Sequence, residues 1–277
     1  MKKNRLGKTE IEISRLGFGA SPFGDIYNRK VTQLEANKMV EYAIGHGINY
    51  FDVAPYYGIG LAEEKLGNAL PKNTDNLIIS TKVGRYGLNE FDFSIKRLKS
   101  SVETSLKRLN RDYLDILICH DIEFVDKQII LDQAVPFLEK LKKEGLIRAI
   151  GISGLPLSVL KEVATKSEID VILSYCKYTL LDQSLLSLKS FIKEKKIGLI
   201  NASPYAMGLL TQNNCPEWNP FKKGSENKVE KIKKEAFNNK KTIEQLAFQY
   251  ASTCPISNCI LTGFSDVEEL KNTLSWI

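Results

Sequence analysis

Asp52, Tyr57, Lys82 and His120 share one kind of position in this 277-residue chain: each closes a short apolar run or follows one within a few residues. In "NYFDVAPYYG" an aspartate sits near the end of such a run, and a tyrosine stands five residues further on, just past Pro55. "NLIISTK" ends in Lys82 and "YLDILICH" ends in His120. A phenol ionises at roughly pH 10 in water, too high to exchange protons readily at neutral pH. A neighbouring ammonium stabilises the phenolate and lowers that value, and a buried carboxylate keeps the ammonium charged. Asp, Lys and Tyr brought together therefore make a tuned proton donor and acceptor, with a histidine to orient a substrate oxygen. Such a set suits hydride transfer to or from a carbonyl carbon, where the oxygen gains or loses a proton in the same event.

The set works only if the chain carries four separate segments to one place. Eight β-branched runs predict strands at 15–21, 48–54, 76–82, 113–120, 147–153, 170–175, 198–203 and 258–263. Their nearly continuous hydrophobicity suits strands buried on both faces, as in a parallel sheet. Helical periodicity fills the intervals, from "TQLEANKMVEYAIGHG", opened by a Thr cap with Glu at its third position, to "DVEELKNTL". Eight strands alternating with eight helices in about 250 residues predict an α/β fold, a (β/α)8 TIM barrel in a single domain over 1–277. A doubly wound open sheet would carry fewer units and a Gly-rich phosphate loop, and "GFGASPFG" lacks the GxGxxG spacing. Barrel chemistry collects at the C-terminal strand ends. Ser21, Asp52, Lys82, His120, Ser153, Ser174, Ser203 and Gly263 thus become the candidate rim. His46, between a helix and the next strand, falls at the opposite end and reads as structural.

Composition narrows the function classes. A 43% apolar, 26% charged chain is globular rather than disordered. No run nears the roughly eighteen apolar residues of a bilayer span. The basic start "MKKNRLGKTEIEIS" has no apolar stretch of a secretory signal behind it. Five cysteines without a CxxC pair, an odd number, suit reduced thiols in a cytoplasmic protein. The net charge of +6 comes from lysines interleaved with glutamates, as in "SIKRLKSSVETSLKRL", so it reads as a solvated surface and not a nucleic-acid site. A modest positive field also suits a small phosphorylated ligand.

"GINYFDVAPYYG", "ISTKVG", "DILICHD" and "GLINASPYAMGLL" resemble, in order, the signature segments of the aldo-keto reductases, and the likeness runs from residue 5 to about residue 275. The resemblance implies that Asp52, Tyr57, Lys82 and His120 form the family's catalytic tetrad, with Tyr57 the general acid or base. It implies a nicotinamide cofactor across the mouth, bordered by Ser21 and Asp52, with Ser153 and Ser174 at the carboxamide. Backbone amides around Ser203, Tyr205, Met207, Gly208 and Leu209 are expected at the pyrophosphate. Gly263, Ser265 and Glu269 are expected at the adenosine. Gly154 replaces the family's usual Asn, and Ala202 stands where many relatives have a Tyr that stacks on the ring. Relatives that prefer NADPH commonly place Lys and Arg after strand eight, where this chain has Phe264, Ser265 and Glu269. A carboxylate repels a phosphate but accepts from a ribose hydroxyl, so NAD is expected over NADP.

"TKVGRYG", "DILICHDIEF", "VILSYCKY" and "CPEWNP" are similar to segments of the family's sugar dehydrogenases. That implies oxidation of an aldose at C1 to its lactone, with a small sugar as partner. Beside Tyr57 and His120, Arg85, Asp121 and Glu123 are expected to meet sugar hydroxyls and Trp218 to pack on the ring, though Asp121 reads equally well as a loop cap. The alternative within the family is NADPH-dependent reduction of aldehydes and ketones. A Schiff-base aldolase using Lys82 and a non-catalytic cofactor sensor are the other classes. The chain stops soon after its last helix opens, so the family's C-terminal lid is expected to be short or absent.

Overall fold

The β-branched runs become strands, and alternation within them decides what each side chain meets. The computed structural model describes residues 1–26, 29–73, 75–212, 215, 217 and 219–277. It places β1 at Lys3–Arg5, β2 at Glu12–Ser14, β3 at Leu16–Gly19, β4 at Tyr50–Asp52 and β5 at Ile78–Val83. β6 follows at Leu114–Cys119, β7 at Ile147–Gly154, β8 at Val171–Tyr175, β9 at Gly198–Ala202 and β10 at Cys259–Gly263. β3 to β10 close into an eight-stranded barrel with every pairing parallel, the (β/α)8 architecture expected from the alternation.

Successive strand residues point to opposite faces. Tyr50, Ile78, Ile116, Ile118, Leu173 and Ile200 fill the barrel interior, while Phe18, Phe51, Ile79, Leu117, Ile172 and Leu199 pack on the surrounding helices. Apolar partners on both faces explain why the strands read as unbroken hydrophobic runs. β1 and β2 pair as an antiparallel hairpin. Leu6, Ile11 and Ile13 from that segment join the interior cluster, closing the barrel floor. Strands of three residues are too short to show a period, so the sequence did not announce this plug.

Helix Gln33–Gly45 opens with the expected capping box between Thr32 and Glu35. Helix Glu226–Asn238 stands between β9 and helix Ile243–Ser252. Its Val229, Ile232 and Ala236, spaced three and four apart, pack with Leu209 and Leu210 in a satellite core that backs the segment after β9. Among the described residues, no helix is long and apolar enough to cross a membrane.

Two glycines seat the loop that carries Tyr57. Gly58 has φ +62, and a Cβ there would lie 2.5 Å from Gly24 O. A Cβ on Gly24 would meet the Tyr57 carbonyl carbon at 2.5 Å. The loop therefore rests directly on the turn Ser21–Gly24.

Candidate active site

Asp52 stands two residues after Tyr50, and Lys82 two after Ser80, so alternation aims all four side chains into the barrel. The Lys82 ammonium donates to Asp52 Oδ1 at 2.5 Å and to the Val53 carbonyl at 2.9 Å, with both charged groups buried. Ser80 donates its hydroxyl hydrogen to Asp52 Oδ2 at 2.6 Å. The Tyr50 hydroxyl, 2.9 Å from Ser80 Oγ, must then be the donor in that pair. Burial, with Asp52 adding, pushes the Tyr50 phenol well above its ordinary range, so it stays a neutral donor. Tyr50 and Ser80 went unnoticed in the sequence, although two-residue spacing from Asp52 and Lys82 was the available signal.

Tyr57 overhangs this pair. Lys82 Nζ lies 5.0 Å from the centre of its ring, and the His120 ring meets it edge-on, 5.8 Å centre to centre at 86°. The four expected tetrad residues are therefore brought together. Burial is the main cause that lowers the His120 imidazole to about 3, Asp121 opposing and Lys82 and Arg85 adding. Its Nδ1 is buried without a partner among the described residues.

A neutral His120 has a measurable signature. The unfolded imidazole takes a proton at roughly pH 6.5, which the folded ring refuses until about pH 3. The unfolded chain thus binds more protons between those limits, and His120's contribution to stability is lost as pH falls from about 6.5, by at most ~1.4 kcal/mol per unit. The expected NMR result is an imidazole resonance of His120 that stays constant from pH 5 to 8. A midpoint inside that range would contradict a dry, neutral ring.

Beyond His120 the backbone of Asp121 is left-handed, at φ 51. The Asp121 N–H donates to Ser153 Oγ at 3.2 Å, and Ser153 in turn faces the Cys119 carbonyl at 3.4 Å. Asp121 pairs with Arg85, whose guanidinium stacks 4.0 Å over the Tyr56 ring. Asp121 Oδ1 and Glu123 Oε2 are both buried without a partner among the described residues. Trp218 lies outside the described residues.

Ser174 requires a correction. Ile172 packs on the helices, while Leu173 and Tyr175 pack inside the barrel. Ser174 therefore faces outward, and Tyr175 is the residue that β8 presents to the mouth. A one-residue offset sends a strand side chain to the other face.

On the far side of the mouth, Ser203, Ala206, Met207 and Gly208 all have left-handed backbone, a run that can form an anion-binding hollow. Asn219 Nδ2 props it by donating to the carbonyls of Ala206 at 2.9 Å and Met207 at 3.1 Å. The expected cradle is narrower than the motif suggested. The amides of Ser203, Gly208 and Leu209 donate to Leu261, Tyr205 and Ala206 carbonyls. Those of Tyr205 and Met207 have no such partner among the described residues. Ser21 Oγ borders Gly263, where an added Cβ would lie 3.4 Å from it. After β10, Glu269 Oε2 accepts the Ser265 N–H at 2.7 Å, and the Glu269 N–H donates to Asp266 at 2.8 Å. Arg29, overlooked in the sequence, reaches this segment and pairs with Asp266 and Glu35.

Residues 15–277 match the aldo/keto reductase family. The chain is 42% identical to L-galactose dehydrogenase of Arabidopsis thaliana, over 98% of this chain and 86% of that protein. It is 32% identical to D-arabinose 1-dehydrogenase of Saccharomyces cerevisiae, over 95% and 82%. A solved structure, the holo form of an aldo-keto reductase from Bacillus halodurans, matches with TM-score 0.85 at 28% identity, over 100% of this chain and 90% of that one.

Proposed function

Because the chain belongs to the aldo/keto reductase family, we propose that this oxidoreductase oxidises the C1 hydroxyl of an aldose, an L-galactose-like sugar, to its lactone with NAD. One observation carries the reading: Lys82 Nζ sits 2.5 Å from Asp52 and 5.0 Å from the centre of the Tyr57 ring, with neutral His120 edge-on to that ring. Tyr57 takes the hydroxyl proton as general base. The Lys82 ammonium favours its phenolate form, and Asp52 compensates the ammonium where water cannot. His120 orients the substrate oxygen by a hydrogen bond and, being neutral, does not add a charge there. Lys82 acts here as a donor to Asp52 and Val53, which argues against a Schiff-base nucleophile.

A nicotinamide cofactor, when bound, supplies the hydride acceptor. The left-handed run after β9 suits its pyrophosphate, with the amides of Tyr205 and Met207 and the Ser203 hydroxyl as donors and Gly208 allowing close approach. Ser21, Ser153 and Gly263 border its path, and Ser265 and Glu269 take the adenosine end. Asp121 Oδ1, an unpartnered acceptor beside the Arg85 cation, suits sugar hydroxyls. The relatives named for sugar oxidation support the substrate class.

Glu269 repels a 2′-phosphate, and the Arg29 cation is already paired. The expected kcat/KM is therefore at least roughly tenfold higher with NAD⁺ than with NADP⁺, ~1.4 kcal/mol. Reduced-nicotinamide absorbance with a panel of aldoses and simple aldehydes, each with both cofactors, tests the whole reading. Reduction of aldehydes by NADPH with no aldose oxidised would replace it by the general reductase.

A further inference from the structure

Glu123, expected among the groups that meet sugar hydroxyls, has one carboxylate oxygen left open. It stands on the 3₁₀ turn Ile122–Phe124, three residues past His120. Its Oε1 accepts the Leu155 N–H at 2.9 Å and faces the Tyr175 hydroxyl at 3.4 Å. Its Oε2 is buried and has no partner among the described residues. The neighbouring cation, Arg85, is engaged by Asp121. Burial raises the Glu123 carboxyl, the Leu155 N–H opposing. An open acceptor held in such a place calls for a donor from outside the chain.

Gly154 is what admits the carboxylate. A Cβ there would lie 2.5 Å from Glu123 Oε2. Gly154 is not among the left-handed glycines, so room and not backbone conformation requires the missing side chain. The barrel order gives the place its meaning. The tetrad hangs on β4, β5 and β6, and the hollow suited to a pyrophosphate follows β9. β7 and β8 lie between them and end in Gly154 and Tyr175. A nicotinamide that reaches from the hollow toward the His120 side of the mouth passes over these ends, and its one polar substituent is a carboxamide with two N–H donors.

We infer that Glu123 Oε2 accepts the carboxamide NH₂ of the nicotinamide, in space left by Gly154, with Leu155 and Tyr175 holding the carboxylate in place. The inference rests on the cofactor reading above and adds a specificity for the amide nitrogen.

The test compares NAD⁺ with its 3-acetylpyridine analogue, in which methyl replaces that nitrogen, by equilibrium binding followed through protein fluorescence. In Glu123→Gln the Oε1 position must still accept from Leu155, so the new amide nitrogen occupies the Oε2 position. It would then meet the carboxamide NH₂ donor to donor. The expected result is NAD⁺ binding weakened about tenfold or more while the analogue shifts less than about twofold, so the preference for NAD⁺ collapses. Gly154→Ala, which displaces the carboxylate, is expected to do the same; should it fail to fold, the isosteric Glu123→Gln decides alone. An unchanged preference overturns the inference. So does a variant with wild-type binding of both dinucleotides and a raised KM for the aldose alone, which would assign Glu123 to the sugar. If the wild-type protein binds neither dinucleotide, the cofactor reading has failed and this inference falls with it.

Discussion

Tyr57→Phe should lower kcat by about 10³-fold, within the usual range for a lost general acid or base, while NAD⁺ affinity stays near wild type. The substitution removes one oxygen and keeps the ring. The ring's contacts with Lys82 and with the edge of His120 persist, so the mouth keeps its shape. Stability should change by less than about 1 kcal/mol, because no cavity forms and the ring stays half-buried. The informative measurement is a single-turnover rate with saturating NAD⁺, read beside an equilibrium titration of the same protein. Binding without turnover places the phenol on the proton's path. A rate within tenfold of wild type would mean that another group carries the proton, and Lys82 and His120 would need new roles.

What the sequence disclosed and what it withheld divide along one physical line. Asp52, Lys82 and His120 were legible because each stands where a hydrophobic run stops, and a parallel barrel collects such stops at one rim. Ser174 was misplaced because a run of apolar residues shows where a strand ends but not which face its last side chain takes. That choice is fixed by register with β7 and β9, and Tyr175 rather than Ser174 faces inward. Arg29 was invisible for a different reason. Its partner Asp266 is 237 residues away, and only closure of β10 onto β3 brings the two together. Gly154 read as the loss of a family side chain, yet the fold fills its place with Glu123 from the neighbouring turn. The hairpin β1–β2 was too short to show a period. Helix Glu226–Asn238 did show one, in Val229, Ile232 and Ala236, hidden among lysines and glutamates.

Lys82→Met should be the most destabilising single change at the rim, costing roughly 3–5 kcal/mol at pH 7. Methionine approximates the stem of the lysine, so the loss is not mainly one of packing. The cost arises because Asp52 stays in a buried site with hydroxyl partners but without its cation. Urea midpoints at pH 7 measure that deficit. Adding Asp52→Asn removes the second charge and leaves an amide that Ser80 can still bond, so the double variant should recover part of the lost stability. Neither variant should recover turnover, since Tyr57 has lost the ammonium that favours its phenolate. A Lys82→Met protein within about 0.5 kcal/mol of wild type would show that the pair is not held dry. The electrostatic basis assigned to Tyr57 would then have to be abandoned.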